Sequence, residues 1–137
     1  MALSDYKEKK LLDHANNVAA WTAPTTQYLA LFKSNPGETG SGTEVSATVD
    51  DTAYARQSIA FAAATLGSGI SLTSNAQTFA TVVYGTGATA YTVTHIAIFD
   101  AATSGNLLDY GPLNASISRV VGKTLVFDIG AVSSALD

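Results

Sequence analysis

After Pro24 the chain places its apolar residues in short alternating runs, each cut off by Gly, Asn, Asp, Ser or Pro. A chain punctuated this way makes short strands joined by turns, because alternation lines one face of a strand and those residues supply turn geometry. The strongest run is 91–99, where Tyr91, Val93, Ala97 and Phe99 fall on one face with His95, and Ile96 and Ile98 on the other. Its apolar end on both faces predicts a strand covered from two sides. Further strands are expected at 28–32, 57–63, 69–72, 78–84 and 106–110, with 117–121 and 124–129 paired through Gly122-Lys123. No βαβ alternation is present. The pattern predicts a mainly β fold, an antiparallel β-sandwich (Ig-like or jelly-roll-like) of seven to eight short strands.

The first twenty residues read differently. Ser4 is a good N-cap, Asp5 and Glu8 put negative charge in the first turn, and Leu11, Ala15 and Val18 recur at helical spacing. Trp21-Thr22-Ala23-Pro24 closes the segment, since the residue before proline is turned away from helical geometry. The expected organisation is an N-terminal helix or arm over 1–22 and a β-sandwich body over 23–137. Asn35-Pro36-Gly37 marks a turn, and the polar stretch 37–51 reads as a long surface loop, a length that is uncommon unless functional or disordered.

Only 13% of residues are charged, roughly half the ~25% of ordinary globular domains. So neutral a surface favours a subunit buried in an assembly over a free monomer. The net charge is −4, and three of the seven basic residues, Lys7, Lys9 and Lys10, stand together near the start. Beyond them there is no basic face of the kind that phosphate neutralisation requires, so no nucleic-acid partner is expected. No apolar stretch approaches the ~20 residues of a membrane span, and no secretory signal opens the chain. The absence of cysteine removes disulfides and thiolate metal sites.

Motifs that look chemical lack their context. Gly85-Thr86-Gly87-Ala88-Thr89-Ala90 matches a relaxed dinucleotide fingerprint, yet a strand follows where a helix is required. Gly122-Lys123-Thr124 lacks the upstream glycine of a P-loop, Ile117 standing in its place. His14 and His95 have no nucleophile at useful spacing. Glu44, Asp50 and Asp51 are oxygen donors of the type calcium takes, but not at EF-hand spacing. The expectation is no enzyme, no catalytic residues, no cofactor and no metal. Lys7, Lys9, Lys10, Glu44, Asp50 and Asp51 are the candidate partner contacts. They come from the helix and the 37–51 loop, the two long stretches outside the strand pattern.

Ordered blocks over nearly the whole length carry a resemblance. Met1-Ala2-Leu3-Ser4-Asp5-Tyr6 with Lys10-Leu11-Leu12-Asp13-His14, then Tyr28-Leu29-Ala30-Leu31-Phe32, Thr43-Glu44-Val45 and Tyr54-Ala55-Arg56-Gln57 form the first part. Val93-Thr94-His95-Ile96-Ala97-Ile98-Phe99-Asp100-Ala101 leading into Gly105-Asn106-Leu107-Leu108 forms the second. In these blocks the chain resembles a family of small tailed-bacteriophage virion proteins, variously labelled tail-fibre, minor tail or capsid-decoration proteins. Residues 62–74 and 85–90 match that pattern least. The resemblance implies a non-enzymatic virion protein made in the host cytoplasm and working as a homo-oligomer, with a trimer expected. The leading expectation is a capsid decoration (cement) protein bridging subunits of the major capsid protein. The alternative is a minor tail or tail-fibre component that contacts tail subunits, a host surface or a carbohydrate.

Overall fold

A computed structural model describes residues 1–136; Asp137, the last residue of the expected body, lies outside them. The elements run β1 (Ala2–Leu3), α1 (Asp5–Ala15), β2 (Gln27–Phe32), β3 (Gln57–Ile59), β4 (Ile70–Leu72), β5 (Gln77–Phe79), β6 (Tyr91–Phe99), β7 (Leu107–Arg119), β8 (Leu125–Phe127) and β9 (Ser133–Ala135). Five strands form one antiparallel sheet in the order β1-β7-β6-β2-β3, while β4-β9 and β5-β8 are two-stranded ribbons. The fold is mainly β and antiparallel with a single N-terminal helix among the described residues, as the strand pattern predicts. The β5-β8 ribbon, with Val45, forms a second layer over the sheet, packing Phe79, Leu125 and Phe127 with Leu29, Leu31, Ile96 and Ile98.

The strand inventory differs from expectation in ways that have local causes. The described residues form nine strands: β1 adds itself to the edge of β7, β9 returns to pair with β4, and the expected strands 106–110 and 117–121 are one strand, β7. Residues 117–121 therefore do not pair with 124–129. Ile117–Arg119 pairs with the start of β6, and β8 pairs with β5. The Gly122-Lys123 turn exists, with Gly122 at φ +83°, but it carries the chain from the sheet into the second layer. The expected strands 57–63 and 78–84 are cut to three residues each, continued only by isolated bridges of Phe61 with Thr73 and Tyr84 with Asp51.

Strand β6 lies in the middle of the sheet, and a bulge changes its parity. Val93 pairs with Ile117 but His95 pairs with Pro112, so Thr94 alone faces residues 113–116. An irregularity of this kind shifts which side chains share a face. Tyr91 and Val93 consequently join Ile96 and Ile98 in the main core, with Leu29, Leu31, Phe79, Val82 and Val132. Ala97 and Phe99 face the other way, with Ala30, Phe32 and Leu107. Uninterrupted alternation would have put Tyr91, Val93, Ala97 and Phe99 together.

The helix starts where its cap predicts: the Lys7 backbone N–H donates to Ser4 Oγ at 3.2 Å. It stops at Ala15, short of the expected twenty residues, because Asn17 takes φ +57°, a left-handed stop. None of its residues is buried. Its root is held instead: Ser4 N–H donates to the Leu108 carbonyl at 2.9 Å, and Ser4 Oγ donates to the Leu107 carbonyl at 2.5 Å. The outer edge of β3 is closed by Asn75, which accepts from Ala60 N–H at 2.8 Å and donates to the Ser58 carbonyl at 3.2 Å, removing an exposed pairing edge.

On the smaller core face the Phe99 ring stacks on Phe32 at 6.2 Å between centroids, and the Arg56 guanidinium lies 3.7 Å over it. Phe99→Ala removes both contacts and is expected to destabilise the protein by about 3–5 kcal/mol, read from the shift of the urea midpoint at constant slope. A shift equivalent to under about 1 kcal/mol, the range of surface positions, would remove Phe99 from the core.

Candidate interaction surface

The structure gives most of the expected contact residues internal partners. Lys7 Nζ lies 2.7 Å from Asp109 Oδ2, whose side chain is fully buried, and Ser134 Oγ donates to the other Asp109 oxygen at 2.9 Å. This ties the helix, the sheet and β9 together. Glu44 is gripped by Arg56 through Nε at 2.8 Å and Nη2 at 2.7 Å, a two-pronged pairing that fixes geometry as well as charge. Tyr54 Oη also donates to Glu44, at 2.8 Å. Asp50 pairs with Lys33 at 2.8 Å and accepts from Ser46 N–H. Asp51 is buried. It accepts from Tyr91 Oη at 2.9 Å and from the Val83 and Ala53 N–H groups at 3.0 Å, with Arg119 at 4.0 Å.

The 37–51 segment is thus fastened to the body by its acids, and Val45 from its middle enters the core. Lys9 and Lys10 remain at the helix surface, Lys9 paired with Asp13 and Lys10 over the Tyr6 ring at 5.5 Å. Glu38 meets Asp5 at the surface, where a hydrogen bond with the Asp5 carboxyl and then its charge raise the Glu38 pKa. Among the described residues, no helix is long and apolar enough to cross a membrane.

The opposite character prevails elsewhere. From Gln57 to Phe99 the sequence contains no Asp, Glu, Lys or Arg, a run that composition averaged over the chain hides. Within it, residues 61–73 form a projecting hairpin. Phe61 bridges Thr73, and Ala62 N–H donates to the Leu72 carbonyl at 2.9 Å. Ser68 N–H donates to the Thr65 carbonyl at 3.0 Å to close the tip. Gly67 and Gly69 take φ +88° and +64°, and a Cβ at either would meet no atom within 4 Å, so the tip stands clear of the body. Leu66 at its apex is completely exposed, and Ile70 and Leu72 on its return strand are 44% and 48% exposed. Leu66, Ile70 and Leu72 make this hairpin a candidate contact surface.

At the other end of the β4-β9 ribbon lies a cleft of about 440 Å³ between the β7 bulge and β8–β9. Ile96, Leu113, Asn114, Ile117, Phe127 and Val132 are among its walls, and no Asp, Glu, Lys or Arg lines it. The bulge that alters the parity of β6 also makes this cleft, because residues 113–115 leave the ladder and form one wall.

The sequence profile of a family described as podophage GP4 fiber I protein gp80 matches residues 2–135. No curated protein matches the chain.

A buried tyrosine, Tyr91, and a partly buried one, Tyr54, make the acid network testable. Burial, with the Asp51 hydrogen bond and charge, pushes the Tyr91 hydroxyl from 10.0 up to about 12. Burial, followed by the Glu44 charge, pushes Tyr54 further up. Both groups hold their protons more tightly folded than unfolded, so their stabilisation is complete below pH 10 and is lost as pH rises from there through the folded values. Stability measured by urea at pH 9 to 11.5 should fall, and less steeply in Tyr91→Phe. A wild-type profile flat across that window would contradict the burial of these hydroxyls.

Proposed function

This chain belongs to the podophage fiber I family, and from that membership we propose that it is a non-enzymatic subunit of a phage tail fibre, acting through protein–protein contact. The family match supports the fibre reading held second on sequence grounds and gives no support to capsid decoration. The observation that carries the mode of action is the division of the surface. Lys7, Lys33, Arg56 and Arg119 are matched to carboxylates of the same chain, while the 57–99 run presents exposed Leu66, Ile70, Leu72 and Val83 without any charge. Charges spent inside stabilise the subunit. The neutral end is left for association, where apolar burial drives binding and unpaired charge opposes it.

The partner on this reading is a second copy of the chain, in an assembly buried into the fibre. Self-association covers the neutral surface that so sparsely charged a chain would otherwise expose. Gold-labelled antibody against the protein, viewed on intact virions by negative-stain microscopy, should decorate the fibres. Label confined to the capsid shell would overturn the proposal.

A further inference from the structure

We propose that copies of this chain join head to tail, the Leu66 tip of one hairpin seating in the cleft between the β7 bulge and β9 of the next. The inference rests on the self-association proposed above and names its contact. Two features remain unmatched within one molecule: a leucine exposed at the tip of an uncharged hairpin, and a cleft whose side chains are mostly apolar, among them Ile96, Leu113, Ile117, Phe127 and Val132. They sit at opposite ends of one ribbon. Ile70 pairs with Ala135 at the end nearer the tip, and Leu72 pairs with Ser133 at the end nearer the cleft, which Val132 and Ser133 line. A strand rises ~3.3 Å per residue along its axis, so the ribbon itself holds the tip away from its own cleft.

Knob and hole on different patches of one surface make a heterologous contact, which closes into a ring when the rotation permits and otherwise grows as a filament. The sizes agree. At about 440 Å³ the cleft falls within the ~300–1,000 Å³ of sites that enclose a small ligand. The tip is slim enough to enter because Gly67 and Gly69 lie close to Leu66. The chemistry agrees as well. No Asp, Glu, Lys or Arg lines the cleft, and its one charge, the Met1 ammonium, is already engaged by the Ser133 carbonyl at 3.4 Å, so a basic segment finds no counter-charge there and a segment drawn from 57–99 needs none. The exposed Leu12 and Val18 of the helix segment fit less well, since Lys9, Lys10 and Asp13 stand among them.

The chain has no cysteine, so engineered pairs report without background. Leu66→Cys and Asn114→Cys are both at exposed positions and are combined in one chain, oxidised, and resolved on a non-reducing denaturing gel. Expected are covalent species beyond the dimer, whereas a mixture of the two single variants stops at dimers. Light scattering of the unmodified protein is run alongside. Oligomers in solution with no disulfide between positions 66 and 114 would overturn the head-to-tail contact and leave self-association standing. A monomer at every concentration would remove both. In the native background, Leu66→Asp should weaken association at least tenfold with an unchanged circular dichroism spectrum, and wild-type association by this variant would also overturn the contact. So would cross-linking of Cys-substituted position 66, in virions, to a different protein in place of a second copy.

Discussion

The Asp51 carboxylate joins parts of the chain that are remote in sequence, and the arrangement of the second layer depends on it. A buried carboxylate is tolerated only when its oxygens are supplied with donors. Here the donors come from the central strand (Tyr91), from the segment after β5 (Val83) and from the residue two ahead (Ala53), with Arg119 of β7 alongside. The loop ending at Asp51 cannot move without stranding that charge. The next turn is fitted to the same loop: Thr86 and Gly87 N–H groups donate to the Thr48 and Val49 carbonyls. A Cβ at Gly85 would come within 2.2 Å of the Thr48 carbonyl oxygen, far inside contact distance. The glycines that match a relaxed nucleotide fingerprint by sequence serve instead to let two backbones meet.

The same use of charge recurs across the molecule. Asp109 holds Lys7 and Ser134, Glu44 holds Arg56 and Tyr54, and Asp100 accepts from Asn106 through backbone and side chain. In a chain only 13% charged, this internal use leaves little to decorate the surface, and the hairpin end receives none of it. On the proposed role in a fibre, that neutrality of the hairpin is an advantage. A neutral projection costs little to desolvate when a neighbour covers it.

Several elements were legible because their cause is local. Ser4 with Asp5 and Glu8 announces the helix, and the alternation in 28–32 and 91–99 announces β2 and β6, whose limits in β6 agree to the residue. What was not legible depends on partners distant in the chain. Nothing in 113–116 says that these residues face Thr94 alone, so the parity change in β6 and the cleft it opens were invisible. The run at 117–121 carries no address telling it to pair with β6 instead of its neighbour at 124–129. Glu44, Asp50 and Asp51 read from the sequence as candidate partner contacts, because only the folded chain reveals which donors of the same chain surround them. The uncharged run from Gln57 to Phe99 was visible all along, and is the sequence signal for the proposed contact surface.

The central claim is that the neutral end of this subunit, and not the charged helix and loop, is what an assembly covers. Hydrogen–deuterium exchange measured on the protein free in dilute solution and again in the assembled fibre tests this without any substitution. Amides that gain protection should fall in residues 62–72 and 112–117, with residues 5–15 and 37–51 exchanging alike in both states. Protection gained over the helix and the 37–51 segment, with the hairpin unchanged, would contradict the account.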